Sequence, residues 1–178
     1  MYPAIRLIAQ MIKHRNDPPL PVTGTHVSRH MCLPWDIDMW MELNNGRTLT
    51  LYDLGRTTAA QRAGLVKVLR RKKWGLTMAG ASVRYRRRIR TFETVEMRSR
   101  LSWWDDRFFY VEQSMWKKNG ECANHIVYRS AVTSKAGIVA PQAVVDEIDA
   151  TTQKPTVPEW IAAWIEAEEK RPWPPMQE

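Results

Sequence analysis

The densest run of groups able to do chemistry is Asp36-Ile37-Asp38-Met39-Trp40-Met41-Glu42-Leu43-Asn44-Asn45-Gly46, followed by Asp53 and Arg56 on a helical pattern. The polar run ends where a helix should begin. The first N–H groups of a helix have no intrahelical partner and carry the positive end of its dipole, so those of Asn45, Gly46 and Arg47 could hold a carbonyl oxygen or an oxyanion. A carboxylate beside them could direct a water. The same spacing also fits purely structural roles: Asp36 and Asp38 ordering the loop, Asn44 or Asn45 capping the helix, and Asp53 pairing with Arg56 one helical step away.

A second feature is the basic run Arg84, Arg86, Arg87, Arg88, Arg90. Guanidinium groups bind phosphates in a bidentate way, and a strand face of arginines also blunts edge pairing in solvent. The interleaved Tyr85 and nearby Trp103 and Trp104 leave nucleic-acid binding as a third reading, with no recognised nucleic-acid motif behind it. His26 and His30 share a strand face, while His14 and His125 stand apart, and no set has metal-ligand spacing. Ser102, Ser114 and Ser130 lack the glycines of a nucleophile elbow. Cys32 and Cys122 have no C-x-x-C spacing and no neighbouring base. No metal and no cofactor is expected.

The elements that must hold these groups follow from hydrophobic period. Residues 1–15 repeat Ile5, Ile8 and Ile12, with Leu7 and Met11, at helical spacing. This predicts a short amphipathic helix whose apolar face docks on the domain or on a partner subunit, a reading favoured over a membrane-surface anchor. Asn16 to Pro21 reads as a linker. HVSRHMCLP reads as a strand. From Arg47 to Gly64, Leu51, Gly55, Ala59 and Ala63 recur every four residues, a small-residue face that lets a sheet approach closely, and Leu65 to Trp74 continues as a second helix. Between Ala79 and Val132 the period is two, with turns at Asp105-Asp106 and Asn119-Gly120, which predicts an antiparallel meander. In its first block Val83, Tyr85 and Ile89 oppose Arg84, Arg86, Arg88 and Arg90. The last strand pair is apolar on both faces. A short helix near Pro141 to Ile148 follows. The final helix, Val157 to Lys170, is marked by a capping box, Thr156-x-x-Glu159, and a stripe of Trp160, Ile161, Trp164 and Ile165. One helix with a small-residue face followed by a meander predicts an α+β fold, an antiparallel sheet wrapped around one central helix.

The 178 residues carry 27 Lys and Arg against 19 Asp and Glu, a formal +8, and include nine Trp. That content argues for one packed domain and against disorder. The charge is uneven: 24 basic and 11 acidic groups through residue 145, then 3 and 8 beyond it. The basic body would attract a polyanion, whether nucleic acid, anionic lipid or a phosphorylated ligand. Two cysteines, with no signal peptide and no spanning stretch, predict a soluble cytoplasmic protein.

The string DIDMWMELNNGRTLTLYDLGR resembles the D-x-D-x-x-G-H-[VM]-N-N-x-x-Y-L-x-x-x-[DE]-x-x-R pattern of the hotdog-fold acyl-CoA thioesterases, in the branch similar to 4-hydroxybenzoyl-CoA thioesterase, and SVRYRRRIRTFETVEMRSRLSWWDDRFFYVEQSMWKKNGECANHIVYR resembles that family's strand meander. The resemblance covers roughly residues 25–135. It implies a hotdog domain over 22–140, flanked by an N-terminal helix and linker (1–21) and a C-terminal helical extension (141–178). It implies an acyl-CoA or acyl-carrier thioester hydrolase in which Asp38 attacks or directs water and the N–H groups around Asn45, Gly46 and Arg47 polarise the carbonyl. Glu42, Asn44, Asp53 and Arg56 would border the substrate, and Arg84, Arg86 and Arg88 would dock the phosphates of coenzyme A. Hotdog dimers hold the chain of the substrate at the subunit interface, so a homodimer or tetramer is expected. Met41-Glu42 stands where Gly-His is usual and Thr48 where Tyr is usual. These departures give a loop without its glycine and place a negative charge beside Asp38. Two alternatives are a catalytically weak acyl-thioester binding protein on the same fold and a basic nucleic-acid or anionic-lipid binding module. The first reading expects no nucleic-acid partner and does not favour a peripheral membrane contact.

Overall fold

The computed structural model describes residues 2–176. Its elements run α1 (Ala4–Lys13), β1 (His26–Met31), a 3-10 turn (Pro34–Asp36), α2 (Asn45–Arg62), α3 (Leu65–Lys72), β2 (Gly75–Tyr85), β3 (Thr94–Trp104), β4 (Phe109–Trp116), β5 (Cys122–Ser134), β6 (Gly137–Val139), α4 (Pro141–Asp149) and α5 (Glu159–Lys170). The six strands form one antiparallel sheet in the order β1-β3-β4-β5-β2, with β6 pairing to the end of β5. The sheet curls around α2, as the element order predicts.

The main core lies between α2 and the sheet, where Leu51, Tyr52 and Leu54 meet Met97, Met115 and Ile126, all at most 2% exposed. Gly55 sets how closely the two layers approach. A Cβ built there would lie 2.5 Å from both Met97 Sδ and Ser99 Oγ, well inside van der Waals contact. Gly55→Ala is therefore expected to destabilise by about 1–3 kcal/mol despite its better helix propensity, because the sheet must move; a urea titration would measure this. The rest of the small face works differently. Ala59 and Ala63 border a groove instead of a close contact.

The last strand pair is apolar on both faces because two layers cover it. α5 lies on the side away from α2, with Ile161 fully buried against Tyr110 and Val127, and Trp164 in edge contact with the Tyr110 ring. The expected Thr156 capping box does not form. Val157 precedes a proline, which disfavours helical backbone at Val157, so α5 starts only at Glu159, with an extended Pro158 as its N-cap and no side-chain cap bond. Trp160 also leaves the expected buried stripe, being 43% exposed with its ring against His125.

β1 runs along one edge of the sheet, and α1 packs against α2, running antiparallel to β1 and reaching it at both ends. Arg6 Nη2 donates to the Met31 carbonyl at 2.8 Å, and at the other end the His14 and His26 rings meet at 4.8 Å. His26 and His30 point inward and are buried. Burial chiefly holds His26 down to about 4 and His30 to about 3, so both are neutral at physiological pH, and His26 Nδ1 accepts from Arg62 at 3.0 Å. Of the two surfaces expected to receive the Ile5, Ile8, Ile12 face, the domain or a partner subunit, the domain does not receive it. The docked side carries Arg6, Leu7 and Met11, and the three isoleucines face outward. The reason is electrostatic: Arg6 must reach the buried carboxylate of Asp36 at 2.6 Å, and this fixes the rotation of the helix.

Candidate active site

The loop between the 3-10 turn and α2 is a narrow two-stranded turn. Ile37 pairs with Leu43, the Asp38 N–H donates to the Glu42 carbonyl at 2.9 Å, and the Asn44 N–H donates to the Asp36 carbonyl at 2.9 Å. The two aspartates of the motif divide their work. Asp36 is fully buried, with Oδ2 accepting from Arg6 at 2.6 Å and from the Leu33 N–H at 3.0 Å, and Oδ1 accepting from Arg47 Nε at 2.6 Å. Burial opposes its ionisation, and the bonds from Arg47, Leu33 and Arg6 together outweigh it, leaving the carboxyl below its ordinary value. Asp38 is half-buried and holds the turn through one oxygen, Oδ1, which accepts the Trp40 N–H at 2.9 Å.

Met41 occupies the position where the family pattern has glycine, and it still adopts the left-handed backbone, with φ 57°. The turn keeps its shape at a cost of about 1–2 kcal/mol for a residue with a Cβ. Glu42 turns to Arg88, with Oε2 2.8 Å from Nε, so its charge is answered by the arginine run.

Asn44 is the N-cap of α2, and its Oδ1 accepts the Arg47 N–H at 3.0 Å. Of the three N–H groups expected to face substrate, that of Arg47 is thus engaged. Those of Asn45 and Gly46 bond to no group among the described residues, and both residues are exposed. Thr48, buried where the pattern has tyrosine, bonds its hydroxyl back to the Asn44 carbonyl at 3.1 Å.

The arginine run is not a strand face. β2 ends at Tyr85, because the N–H groups of Arg86 and Arg87 both turn to the Ala123 carbonyl at 2.9 Å, while the Ile89 side chain dives into the core and its carbonyl accepts from Leu43. β2 also starts at Gly75, earlier than the alternation predicts. Ending the strand at Tyr85 brings Arg86, Arg87 and Arg88 around the helix N-terminus. With Glu42, Asn45, Thr48, Tyr85 and Asn124 they line a cleft of about 170 Å³. The Tyr85 hydroxyl donates to the Asn45 carbonyl at 3.2 Å. Arg84 stays on the exposed part of β2, outside the cleft.

Asp53 and Arg56 lie about two to three turns further along α2. They form the expected ion pair, and the Arg56 guanidinium stacks 4.1 Å over the Tyr128 ring. Burial pushes the Tyr128 hydroxyl up to about 12, outweighing the neighbouring Arg56. The pair borders a largely apolar groove of about 440 Å³, running between the Ala59-Ala63 side of α2, Leu65 and Leu69 of α3, Leu76 and Met78 of β2, and Val145 and Ile148 of α4. The groove and cleft therefore gather different parts of the expected set: Glu42, Asn45, Arg86 and Arg88 at the helix N-terminus, Asp53 and Arg56 at the groove. Asp38, Asn44, Gly46 and Arg47 border the helix start without lining either hollow. The sequence did not mark Asn124, Tyr2, Tyr128 or the α4 residues. Tyr128 is an inward residue of an alternating strand like any other, and α4 reaches the groove only through the chain's return.

No group of three or more metal-ligating side chains occurs among the described residues, and no helix there is long and apolar enough to cross a membrane.

Comparison with known proteins gives a consistent picture. A family model described as the thioesterase-like superfamily matches residues 32–165. Protein THEM6 of Xenopus laevis is 32% identical over 143 residues, covering 79% of this chain and 67% of that protein. Among solved structures, the putative oleoyl thioesterase of Lactobacillus plantarum superposes with a TM-score of 0.63 at 14% identity, over 77% of this chain and 56% of that longer one. SAV2348 of Staphylococcus aureus, solved in complex with CoA, superposes with a TM-score of 0.59 at 9% identity, over 79% of this chain and 93% of its own. At such identities the structural likeness speaks for the fold alone.

Proposed function

The chain belongs to the thioesterase-like superfamily and has the hotdog fold, and from that premise we propose that it hydrolyses an acyl-CoA or related acyl thioester. The observation that carries this reading is the apolar groove along α2, a few turns from an exposed helix N-terminus ringed by arginines. An acyl chain in the groove leaves its thioester among polar groups, where the Arg86 guanidinium can take a phosphate in bidentate fashion and Arg88 can do so by exchanging its Glu42 partner. Arg84 would meet the same polyanion further along β2.

In this reading Asp38 directs the attack, either by taking a proton from water or by adding to the carbonyl carbon. Its Oδ1 is held by the Trp40 N–H. The N–H groups of Asn45 and Gly46 stabilise the oxyanion, and the thiolate leaves without needing a metal. A second copy completes the site. β2 is an eleven-residue edge strand, nearly all exposed. The Glu42–Arg88 pair and the Tyr85–Asn45 bond tie the Asp38 loop to the far end of that strand. Pairing along β2 would bring the partner's groove toward this loop and would also remove an exposed edge. A second reading gives the attack to Asp53, favoured by its position on the groove itself.

Purified protein should release thiol from CoA thioesters in a butyryl, octanoyl and palmitoyl series, with rate rising as the chain fills the groove. Absence of hydrolysis across the series, with tight binding of the same thioesters, would establish the binding-protein alternative instead.

A further inference from the structure

The outward face of α1 carries an apolar stripe with no partner. Ile5 is 85% exposed, Ile8 56% and Ile12 55%, a spacing that puts all three on one side of the helix. Trp35, 68% exposed, immediately precedes the aspartate that Arg6 holds. The cations at its end, Lys13 in the last turn of the helix and Arg15 just after it, make no ion pair among the described residues. The acidic groups of this region are already engaged: Asp17 with His14, Glu93 with Lys117, Glu96 with Arg98.

We propose that this face binds the surface of an anionic membrane. Isoleucines at helical spacing suit the boundary between headgroups and acyl chains, and unpaired Lys and Arg at the end of the stripe suit anionic headgroups. The helix is held in place by the Arg6–Asp36 bond and by Leu7 packed on the core, so it presents the stripe already folded and no ordering cost opposes binding. A second copy of the chain fits this face poorly, since a two-fold contact would bring Lys13 and Arg15 of both copies into one interface with no acidic partner. Tyr2, just ahead of α1, borders the groove, so docking through α1 would hold the groove mouth close to the lipid.

The test is flotation of the whole protein with vesicles of phosphatidylcholine alone and of phosphatidylcholine mixed with phosphatidylglycerol. Binding is expected to the mixed vesicles, to weaken with salt, and to fall about tenfold or more in Ile8→Asp, whose exposed position should leave the melting temperature unchanged. Lys13→Glu with Arg15→Glu should weaken binding and flatten the salt dependence. Failure to float, equal flotation on neutral vesicles, or undiminished binding by Ile8→Asp would each overturn the assignment. So would sedimentation showing that Ile8→Asp breaks an oligomer, since the stripe would then belong to a second copy.

Discussion

Asp36→Ala should destabilise the protein by about 3–5 kcal/mol, the cost of breaking a buried ionic cluster from one side. The side chain is wholly buried and bridges Arg6 at 2.6 Å and Arg47 Nε at 2.6 Å, with the Leu33 N–H at 3.0 Å. Truncation removes the carboxylate that two mostly buried guanidinium groups share, and it loosens three segments together: α1 through Arg6, the 3-10 turn through Leu33, and the start of α2 through Arg47. Arg6→Ala should cost less, because Asp36 keeps Arg47. A double-mutant cycle on Asp36 and Arg6, read by urea unfolding, would give their coupling, and a near-additive cycle would contradict the bridge. The sign with pH follows. Because the folded state holds the Asp36 carboxyl below its ordinary value, its contribution is complete at neutral pH. It is lost as pH falls below the ordinary carboxylate value and through the lowered one.

Asp38→Asn should lower kcat on a CoA thioester by about 10²–10⁴, the usual contribution of a positioned acid or base. The amide keeps an oxygen to accept the Trp40 N–H, so the turn should survive and the melting temperature should change little. Asp53→Asn should act chiefly on KM, because its carboxylate borders the groove and is held by Arg56. The opposite pattern, kcat collapsing in Asp53→Asn and unchanged in Asp38→Asn, would transfer the attack to Asp53. The two variants are far enough apart in role that a single set of saturation curves separates them.

The Asp38 loop also shows why some features could be read from the chain and others could not. The N-cap at Asn44 and the Asp53–Arg56 pair are local, lying within one helical turn, so residue type and spacing sufficed. The two motif aspartates are equivalent in sequence, and only distant arginines separate them: Arg6 stands thirty positions before Asp36. The end of β2 is likewise a long-range event, since the Ala123 carbonyl on another strand collects the N–H groups of Arg86 and Arg87. Alternation of Arg and apolar residues continued past that point and gave no sign of it. Val157 before Pro158 was the local signal that a capping box at Thr156 would fail.

By itself the sequence determined the order of elements, the central helix with its close approach at Gly55, the antiparallel meander and the motif that marks the family, because these rest on periodicity and near-neighbour contacts that the chain carries with it. Tertiary structure alone decided which aspartate is buried, which arginines ring the helix N-terminus, that Ala59 and Ala63 open a groove closed by α4, and that the isoleucines of α1 face outward. Each of those depends on which remote groups compete for the same carboxylate, carbonyl or apolar surface, and that competition is settled only when the layers pack.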